Sequence, residues 1–434
     1  MIYKTIDIKN IQTEITINDA NEIKAQIKHG FNVHKKNRFR SHKFFYNINA
    51  LRPNNYIMIN KSSPITFFIV AGEASGDVHG AALMTAIKKV QPECRFVGHG
   101  GDRMSQEGLE RMYHTNELGI IGFSEVIKHL PFMFTAMNRT LDRLRELRPN
   151  RIILIDYPGF NLRLAKKSAE LRIPITYFIL PQLWAWKEKR IKVFQRYIDQ
   201  SLSIFPFEKN WFETRSVITN FVGHPFSDIV EPETNKTKFL SKHGLSKSDD
   251  ILTLLPGSRQ QEVDRLWPIY CKTIGMLRAE MPKLKIIVGK ASGVIIPNVI
   301  QNLLYEEQDV RAAMAHGTVA LTASGTATLE CAVLDTPEVV CYKLSALSGQ
   351  IAKKINRAPF ISMANLIAGR KIVPEFLQQE ATAENLSMAL ISLLKNRNER
   401  RKMRDGYEEV RRLLGLPGAY DRAAKLILKR TTHG

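Results

Sequence analysis

Short apolar runs alternate with helical patterns from Ser63 to the end of the chain, and this alternation constrains the fold more than any other feature. Because each apolar run is short and is followed by a longer amphipathic stretch, the pattern predicts parallel sheets covered by helices, an α/β fold. The runs with strand character are Ile65–Val70, Arg95–Val97, Arg151–Ile155, Ile175–Ile179, Gln200–Ile204, Asn220–Val222, Ile251–Leu255, Lys285–Val288, Thr318–Thr322 and Glu338–Tyr342.

Glycine-bearing turns lead from predicted strands into predicted helices at several points. Gly72-Glu73-Ala74-Ser75-Gly76-Asp77 follows the first run, and similar turns lie within Leu254–Gln260 and Ala320–Glu330. The start of a helix has free backbone N–H groups and suits an anion or a sugar. Repetition of this corner in one chain suggests a cleft between two sheets.

Length and charge limit the classes of protein that fit. A chain of 434 residues is long enough for two domains. The formal net charge of +21 favours an anionic partner, which could be nucleic acid, a phospholipid surface or a phosphorylated substrate. Basic residues are not interleaved with aromatic ones as in a nucleic-acid module, so no nucleic acid is predicted.

Cysteine and histidine placement excludes two kinds of site. The four cysteines form no Cys-x-x-Cys pair and the histidines form no cluster, so neither a disulfide framework nor a metal site is predicted. A reducing cytoplasm is the expected compartment. No apolar stretch reaches the roughly 18 residues that a membrane-spanning helix needs.

Composition divides the chain into four parts. Residues 1–62 form a basic extension rich in asparagine and isoleucine, which is read as poorly ordered or as translated upstream sequence before Met58; a small accessory subdomain is the alternative. Residues 63–225 and 226–396 are the two predicted α/β domains. Residues 397–434 carry charged helices at Arg397–Leu414 and Gly418–Arg430, which pack back or are exchanged in a homodimer.

Two corners in the second domain have the residues of a phosphate site. Gly257, Ser258 and Arg259 end a strand, and the Arg259 guanidinium suits a phosphate, although Pro-Gly-Ser is also an ordinary turn. Ser324-Gly325-Thr326 repeats the arrangement. Glu330, one turn later, suits ribose hydroxyls or merely complements the helix dipole.

Acidic residues follow two strands of the first domain. Asp156 ends the strand Arg151–Ile155, where a carboxylate can serve as general base or as a helix cap. Glu73 is a second candidate base at the same sheet edge. Asp77 is the more typical N-cap of the two.

Two apolar segments fit either a core or a lipid-facing surface. Ile121–Arg148 interleaves aromatic and aliphatic residues with lysine and arginine, and Pro181–Trp186 carries two indoles. Such stripes are more often core, but a basic amphipathic helix can also lie on an anionic membrane or hold acyl chains.

Several motifs in a fixed order closely resemble lipid-A-disaccharide synthases. They are Ala71–Asp77, Pro181–Trp186, Phe221–Pro225, Leu255–Arg259 with Glu262-Val263, Ser324–Glu330 and Asn365–Arg370, which together cover roughly Ser63 to Arg430. Singly they are modest signals, but the ordered set is specific.

The resemblance implies a GT-B fold, with two Rossmann-like domains facing a cleft, and an inverting glycosyltransferase. Its substrates would be UDP-2,3-diacylglucosamine and 2,3-diacylglucosamine 1-phosphate (lipid X), and its products the β-1,6 disaccharide of lipid A and UDP. It implies no metal and no cofactor. The enzyme would be peripheral on the cytoplasmic face of the inner membrane, an anionic surface.

Residue roles follow from the same resemblance. Asp156 would be the base, with Glu73 beside it; Arg259, Ser258 and Gly257 would hold the UDP phosphates. The remaining expected contacts are Ser324, Gly325, Thr326, Glu330 and Asn365 on the nucleotide side and Ser75, Asp77 and Asn161 on the acceptor side.

Three departures from the family pattern accompany the match. Residues 1–60 have no counterpart, Val288–Thr318 looks shortened by part of a helix–strand unit, and Ser362-Met363-Ala364 replaces an expected proline-containing run. Two other functions stay open on the sequence: another GT-B enzyme acting on a UDP-sugar, and an inactive membrane-binding relative. The apolar segments argue against a fully soluble substrate.

Overall fold

The computed structural model describes residues 64–119, 123–229, 232, 234–297, 300–344 and 359–432. The predicted extension at 1–62 lies outside the described residues, as do residues 121 and 122 of the apolar, basic segment. Ser62–Gly434 forms one compact unit.

The first half of this unit contains a parallel sheet of seven strands in the order β3-β2-β1-β4-β5-β6-β7 among the described residues. Its central strands are buried on both faces, which is why they read as continuous apolar runs. The strands are β1 Thr66–Ala71, β2 Arg95–Gly100, β3 Leu109–His114, β4 Arg151–Ile155, β5 Ile175–Phe178, β6 Gln200–Ser203 and β7 Thr219–Phe221.

The second half contains a parallel sheet of six described strands in the order β10-β9-β8-β11-β12-β13. Pairing is in register along its centre, with Leu254 opposite Val288 on one side and Leu321 on the other. The strands are β8 Ile251–Leu255, β9 Lys285–Gly289, β10 Leu304–Glu306, β11 Val319–Ala323, β12 Glu338–Tyr342 and β13 Glu375–Leu377.

Helices cover both sheets, as the alternation predicts. They are α1 Ala74–Val90, α2 Asp102–Gln106, α3 Thr115–Leu118, α4 Phe123–Leu147, α5 Pro158–Lys167, α6 Ile191–Tyr197, α7 Pro206–Glu213, α8 Lys236–Lys242, α9 Gln260–Glu280, α10 Val310–His316, α11 Thr326–Val333, α12 Met363–Ala368, α13 Ala383–Lys395, α14 Arg397–Leu413 and α15 Ala419–Thr432.

The strands that sequence reasoning missed lie at sheet edges. β3, β10 and β13 each end a sheet order, and none of them is a continuous apolar run. An edge strand has only one neighbouring strand and is less enclosed, so it needs fewer apolar residues and leaves a weaker signal in the sequence.

The segment between β9 and β11 is the one that the sequence predicts to be shorter than the family pattern, and this stays a prediction. The described residues of 290–303 contain no helix, and β10 and the two-turn helix α10 supply the rest of the unit. β10 pairs with β9 at Leu304 opposite Ile287 and extends the sheet by one strand.

The last helix returns to the first half of its own chain. α15 packs against α1, where Tyr420 Oη lies 2.8 Å from His79 Nδ1. The Arg151 side chain, 1% exposed, donates to Thr431 Oγ1 at 2.9 Å and to the Arg430 carbonyl at 2.7 Å. In this single-chain structure the last helix therefore packs against the first half of its own chain.

Replacing Arg151 should weaken this attachment. Arg151→Met removes the hydrogen-bond donor to the Arg430 carbonyl and to the hydroxyls of Thr431 and Thr176, so we expect the free energy of unfolding to fall by about 1–3 kcal/mol. Denaturant titration measures the change.

Arg145→Met is the matched control. The Arg145 guanidinium pairs with Asp142 and Glu170 at the surface, where water screens the charges, so its loss should hardly change stability. Equal effects of the two substitutions would contradict the anchoring role of Arg151.

Candidate active site

Asp156 lies directly after β4 on a strained stretch of backbone. Its φ is 41° and that of Tyr157 is 47°, a left-handed conformation that non-glycine residues rarely adopt. The Asp156 carbonyl holds the turn by accepting from Tyr177 Oη at 2.5 Å and from Asn161 Nδ2 at 2.8 Å. Strain of this kind, of order 1–3 kcal/mol per residue, is concentrated at functional sites.

Tyr157 links this turn to the first glycine corner. Its hydroxyl donates to the Leu118 carbonyl at 2.6 Å, and its ring lies so close to Gly72 that a Cβ there would be 2.1 Å from Tyr157 Cδ1. Gly72 is therefore required by packing, which sequence reasoning did not foresee. The turn at Asp156 and Tyr157 therefore packs directly against the corner at Gly72–Asp77.

The Asp156 carboxyl has an unusual proton affinity. Burial, and secondarily the charge of Glu73, raise its pKa to about 7. A carboxyl with this pKa is partly ionised at neutral pH and can both take and hold a proton, as general-base catalysis requires.

Glu73 joins the two halves of the unit. It precedes α1 in the first half, and its Oε2 lies 3.7 Å from Nη2 of Arg259, which precedes α9 in the second half. Both side chains are substantially exposed, at 46% and 69%, so the contact marks a shared cleft and contributes little stability. Glu73 is thus near both Asp156 and Arg259.

The Gly257 corner is built as a tight turn before α9. Gly257 has φ 128°, and a Cβ there would be 2.6 Å from Glu262 Cβ. The Ser258 N–H donates to Glu262 Oε2 at 3.1 Å, so a carboxylate already occupies part of this corner. Arg259 is the N-cap residue of α9, but its side chain makes no capping hydrogen bond to that helix. Its guanidinium instead extends toward Glu73 in the cleft.

The Ser324 corner is more open. Gly325 has φ 145°, and a Cβ on it would meet no atom within 4 Å. Within the described parts of the chain no side chain caps α11, which begins at Thr326, so its first N–H groups are available to an anion. Ser324 Oγ donates to the Ile361 carbonyl at 3.4 Å.

Glu330 has a partner that the sequence did not reveal. Its Oε1 accepts from Arg311 Nε at 2.8 Å, and its side chain is largely buried. The ion pair fixes the orientation of the Glu330 carboxylate one turn into α11.

Asp77 has a structural role in place of the expected acceptor contact. Its carboxylate accepts from the N–H groups of Gly101, Arg103 and Met104 at 2.7–3.1 Å. These are the groups at the start of α2, so Asp77 caps that helix rather than its own. With three hydrogen bonds and little exposure, the carboxylate is not available to a substrate.

Asn365 is likewise committed to the protein. Its Nδ2 donates to the Val373 carbonyl and to Glu375 Oε1, and its Oδ1 accepts from the N–H groups of Ile372 and Val373. All hydrogen-bonding positions of this fully buried amide are used. These bonds give Asn365 a structural role, and its contact with the nucleotide stays a prediction.

The two remaining acceptor-side residues differ. Asn161 is buried and supports Asp156 through Nδ2, while its Oδ1 has no partner among the described residues. Ser75 is exposed on the first turn of α1, two residues from Glu73. Of these two residues, Ser75 is the one whose side chain is exposed enough to contact a ligand.

Sequence reasoning missed Glu208, which is buried beneath the Pro181–Trp186 motif. Trp184 Nε1 donates to its Oε1 at 3.2 Å, and Ser203 Oγ lies 2.8 Å from its Oε2. Ser203 has one hydroxyl proton and two acceptors within reach, Glu208 Oε2 and the Phe205 carbonyl at 2.7 Å. Burial is the larger effect and raises the pKa of Glu208 to about 8, although the hydrogen bonds from Ser203 and Trp184 act in the opposite direction.

The described part of the apolar, basic segment is partly core. Met137, Leu141 and Leu144 on α4 are buried in the first half, whereas Phe134 is 62% exposed. Across the described residues, no helix is long and apolar enough to cross a membrane. The same residues contain no group of three or more histidine, cysteine, aspartate or glutamate side chains that could hold a metal ion.

Solved structures share this two-sheet architecture. The UDP-GlcNAc 2-epimerase of Neisseria meningitidis, bound to UDP-GlcNAc, aligns over 85% of this chain and 99% of its own with a TM-score of 0.54 and 11% identity. The calicheamicin glycosyltransferase CalG4 aligns over 85% and 99% with a TM-score of 0.55 and 12% identity. The fold is that of the GT-B proteins, as expected.

Sequence comparison defines the family. Residues 67–428 match the lipid-A-disaccharide synthetase family. The lipid-A-disaccharide synthase of Acidobacterium capsulatum is 36% identical over 82% of this chain and 94% of its own, and that of Myxococcus xanthus is 34% identical over 86% and 99%. The chain belongs to this family of hexosyltransferases of lipid A biosynthesis, which confirms the resemblance.

The protonated state of Glu208 predicts a pH dependence of stability. Because its pKa is raised on folding, its contribution to stability is complete below the ordinary carboxyl pKa and is lost as the pH rises through about 8. Glu208→Gln keeps the shape of the side chain and an oxygen that can accept from Ser203, without a titrating proton. We expect the variant to gain about 1 kcal/mol of unfolding free energy relative to the parent per pH unit between 5 and 8.

Glu213→Gln is the matched control, since Glu213 ends the same helix α7 but is exposed. Denaturant titrations at several pH values make the comparison. If the parent and Glu208→Gln differed by a constant amount at every pH, Glu208 would be ionised in the folded protein and the assignment wrong.

Proposed function

We propose that the chain transfers 2,3-diacylglucosamine from UDP to the 6-hydroxyl of 2,3-diacylglucosamine 1-phosphate. The observation that carries this assignment is the cleft in which Glu73 lies beside both Asp156, whose pKa is about 7, and Arg259 of the other half. Membership of the lipid-A-disaccharide synthase family supports the same reaction.

Asp156 is the proposed general base. Its carboxylate takes the proton of the acceptor 6-hydroxyl while that oxygen forms a bond to the anomeric carbon of the donor. The bond from the anomeric carbon to the diphosphate breaks on the opposite face, so the configuration inverts and UDP leaves. Glu73 tunes the base through its charge, and Ser75, exposed beside it, is the proposed contact with the acceptor sugar.

The second half is the proposed site of UDP. Arg259 and the free N–H groups at the start of α11 neutralise the diphosphate as it departs. Glu330, held by Arg311, is the proposed ribose contact. Gly257, Ser258, Ser324 and Gly325 supply the close backbone approach, and the structural neighbour from Neisseria meningitidis, which is bound to UDP-GlcNAc, supports a UDP-sugar as the ligand.

We further propose that the protein binds peripherally to an anionic membrane on the cytoplasmic face. The net charge of +21 and the exposed Phe134 support this, because both substrates carry acyl chains. Exchange of the C-terminal helices in a homodimer stays a prediction.

Two substitutions test the division of roles. Asp156→Asn removes the base but keeps the shape, so we expect kcat to fall by about 10²–10⁴-fold with UDP affinity retained. Arg259→Gln removes a charge from the diphosphate, so we expect the donor KM to rise about tenfold or more. The assay measures disaccharide and UDP from purified protein with the acylated substrates.

The proposal requires that Asp156→Asn lowers kcat and that Arg259→Gln raises the donor KM. Near-normal turnover by Asp156→Asn would show that another group is the base. An unchanged donor KM in Arg259→Gln would remove Arg259 from the diphosphate site. Lack of any disaccharide with the parent protein would contradict the proposed reaction itself.

A further inference from the structure

Three cations and an exposed indole lie together in the first half, and we call them the Trp186 cluster: Arg163, Trp186, Lys187 and Arg190. Lys187 Nζ is 4.4 Å and Arg190 Cζ is 5.9 Å from the centre of the Trp186 ring, which is 44% exposed. Arg163 lies exposed on α5. No residue of this cluster has a role in the reaction described so far.

Among the described residues, no salt bridge neutralises the positive charge of the cluster. In the described part of the chain, no carboxylate lies within 4 Å of the three cationic groups, while Glu188, between two of them in sequence, pairs with Arg215 at 2.8 Å. Burial and then the charges of Arg190 and Arg163 lower the pKa of Lys187; burial and Arg163 lower that of Arg190. Like charges held together without a counter-ion favour an anionic ligand.

The cluster flanks Asp156. Arg163 acts electrostatically on Tyr157, the residue after Asp156, and Arg190 acts on Tyr177, whose hydroxyl donates to the Asp156 carbonyl. α5, which carries Arg163, begins two residues after Asp156. An anion bound here would therefore be close to the base and on the same half of the cleft.

We propose that Arg163, Lys187 and Arg190 bind the phosphate monoester of the acceptor, an inference that rests on the proposed function. Guanidinium groups match phosphate oxygens with paired donors, and an ammonium group adds a point charge. The Trp186 ring aligns two of the cations and offers an apolar face to the sugar. Binding the phosphate at one end of the acceptor holds its 6-hydroxyl, at the other end, toward Asp156.

Phosphate groups also occur on the surface of an anionic membrane, which is a second source of the same chemistry. The position beside Asp156 favours the substrate, because a group that only attaches the protein to a bilayer need not lie next to the base. The two sources make different predictions for kinetics in detergent and for binding to vesicles.

The test uses the full-length protein with Arg163→Gln, Lys187→Gln and Arg190→Gln, singly and combined. Lys189→Gln is the control, because Lys189 is exposed on the 3-10 helix Glu188–Arg190, which also carries Arg190, but lies outside the cluster. KM and kcat are measured in detergent micelles with the acceptor and with the same diacylglucosamine lacking its phosphate, and UDP affinity is measured separately.

We expect the combined variant to raise the KM for the phosphorylated acceptor at least about tenfold, with the donor KM and UDP affinity unchanged. Removing the phosphate from the acceptor should raise the acceptor KM of the parent and of Lys189→Gln by about the same factor as the combined substitution does. The acceptor KM of the combined variant should hardly change when the phosphate is removed. This non-additivity is the signature of direct contact.

Other results overturn the proposal. If the combined variant distinguished the two acceptors as well as the parent does, the phosphate would bind elsewhere. If the combined variant still distinguished the two acceptors but no longer bound phosphatidylglycerol vesicles, the cluster would be a membrane contact. Failure of the parent to use either acceptor, with UDP binding retained, would instead contradict the proposed function.

Discussion

The left-handed turn at Asp156 and Tyr157 is the constraint on which the site depends. Two successive non-glycine residues stay in this conformation because tertiary contacts hold them: Tyr177 and Asn161 bind the Asp156 carbonyl, and Tyr157 is enclosed between Leu118 and Gly72. These contacts come from β5, α5, α3 and the turn that follows β1. The surrounding fold thus stabilises a backbone that the local sequence alone would disfavour, and it presents a carboxyl in partial burial beside Glu73.

Elements far from the cleft hold the two halves together. The exposed pair of Glu73 and Arg259 contributes little energy, whereas Phe205 packs against buried clusters of both halves. α15 starts near the junction, where Arg422 donates to the Val222 carbonyl, and ends beneath Arg151. Stability and chemistry are therefore separated in space, and substitutions in the cleft can change activity without unfolding the protein.

The sequence predicted the buried strands well because each is a continuous apolar run, and the strands Arg151–Ile155, Ile251–Leu255 and Glu338–Tyr342 were predicted with their observed bounds. It also located the corners, since glycine and a following helix pattern are local signals. It could not assign polar residues at those corners: Asp77 and Asn365 have the right type for a ligand contact but satisfy backbone groups of the protein. Partners distant in the chain, such as Trp184 with Glu208 and Arg311 with Glu330, leave no local signal.

The central claim is that Asp156 acts as the base with a proton affinity set by burial and by Glu73. The dependence of kcat/KM on pH tests it most directly, because it reports the ionisation of the free enzyme. In the parent, activity should rise with pH around a midpoint near 7. In Glu73→Gln the midpoint should move to lower pH but stay above that of an ordinary carboxyl, since burial is the larger cause. An unchanged midpoint, or one that moves to higher pH, would contradict the account.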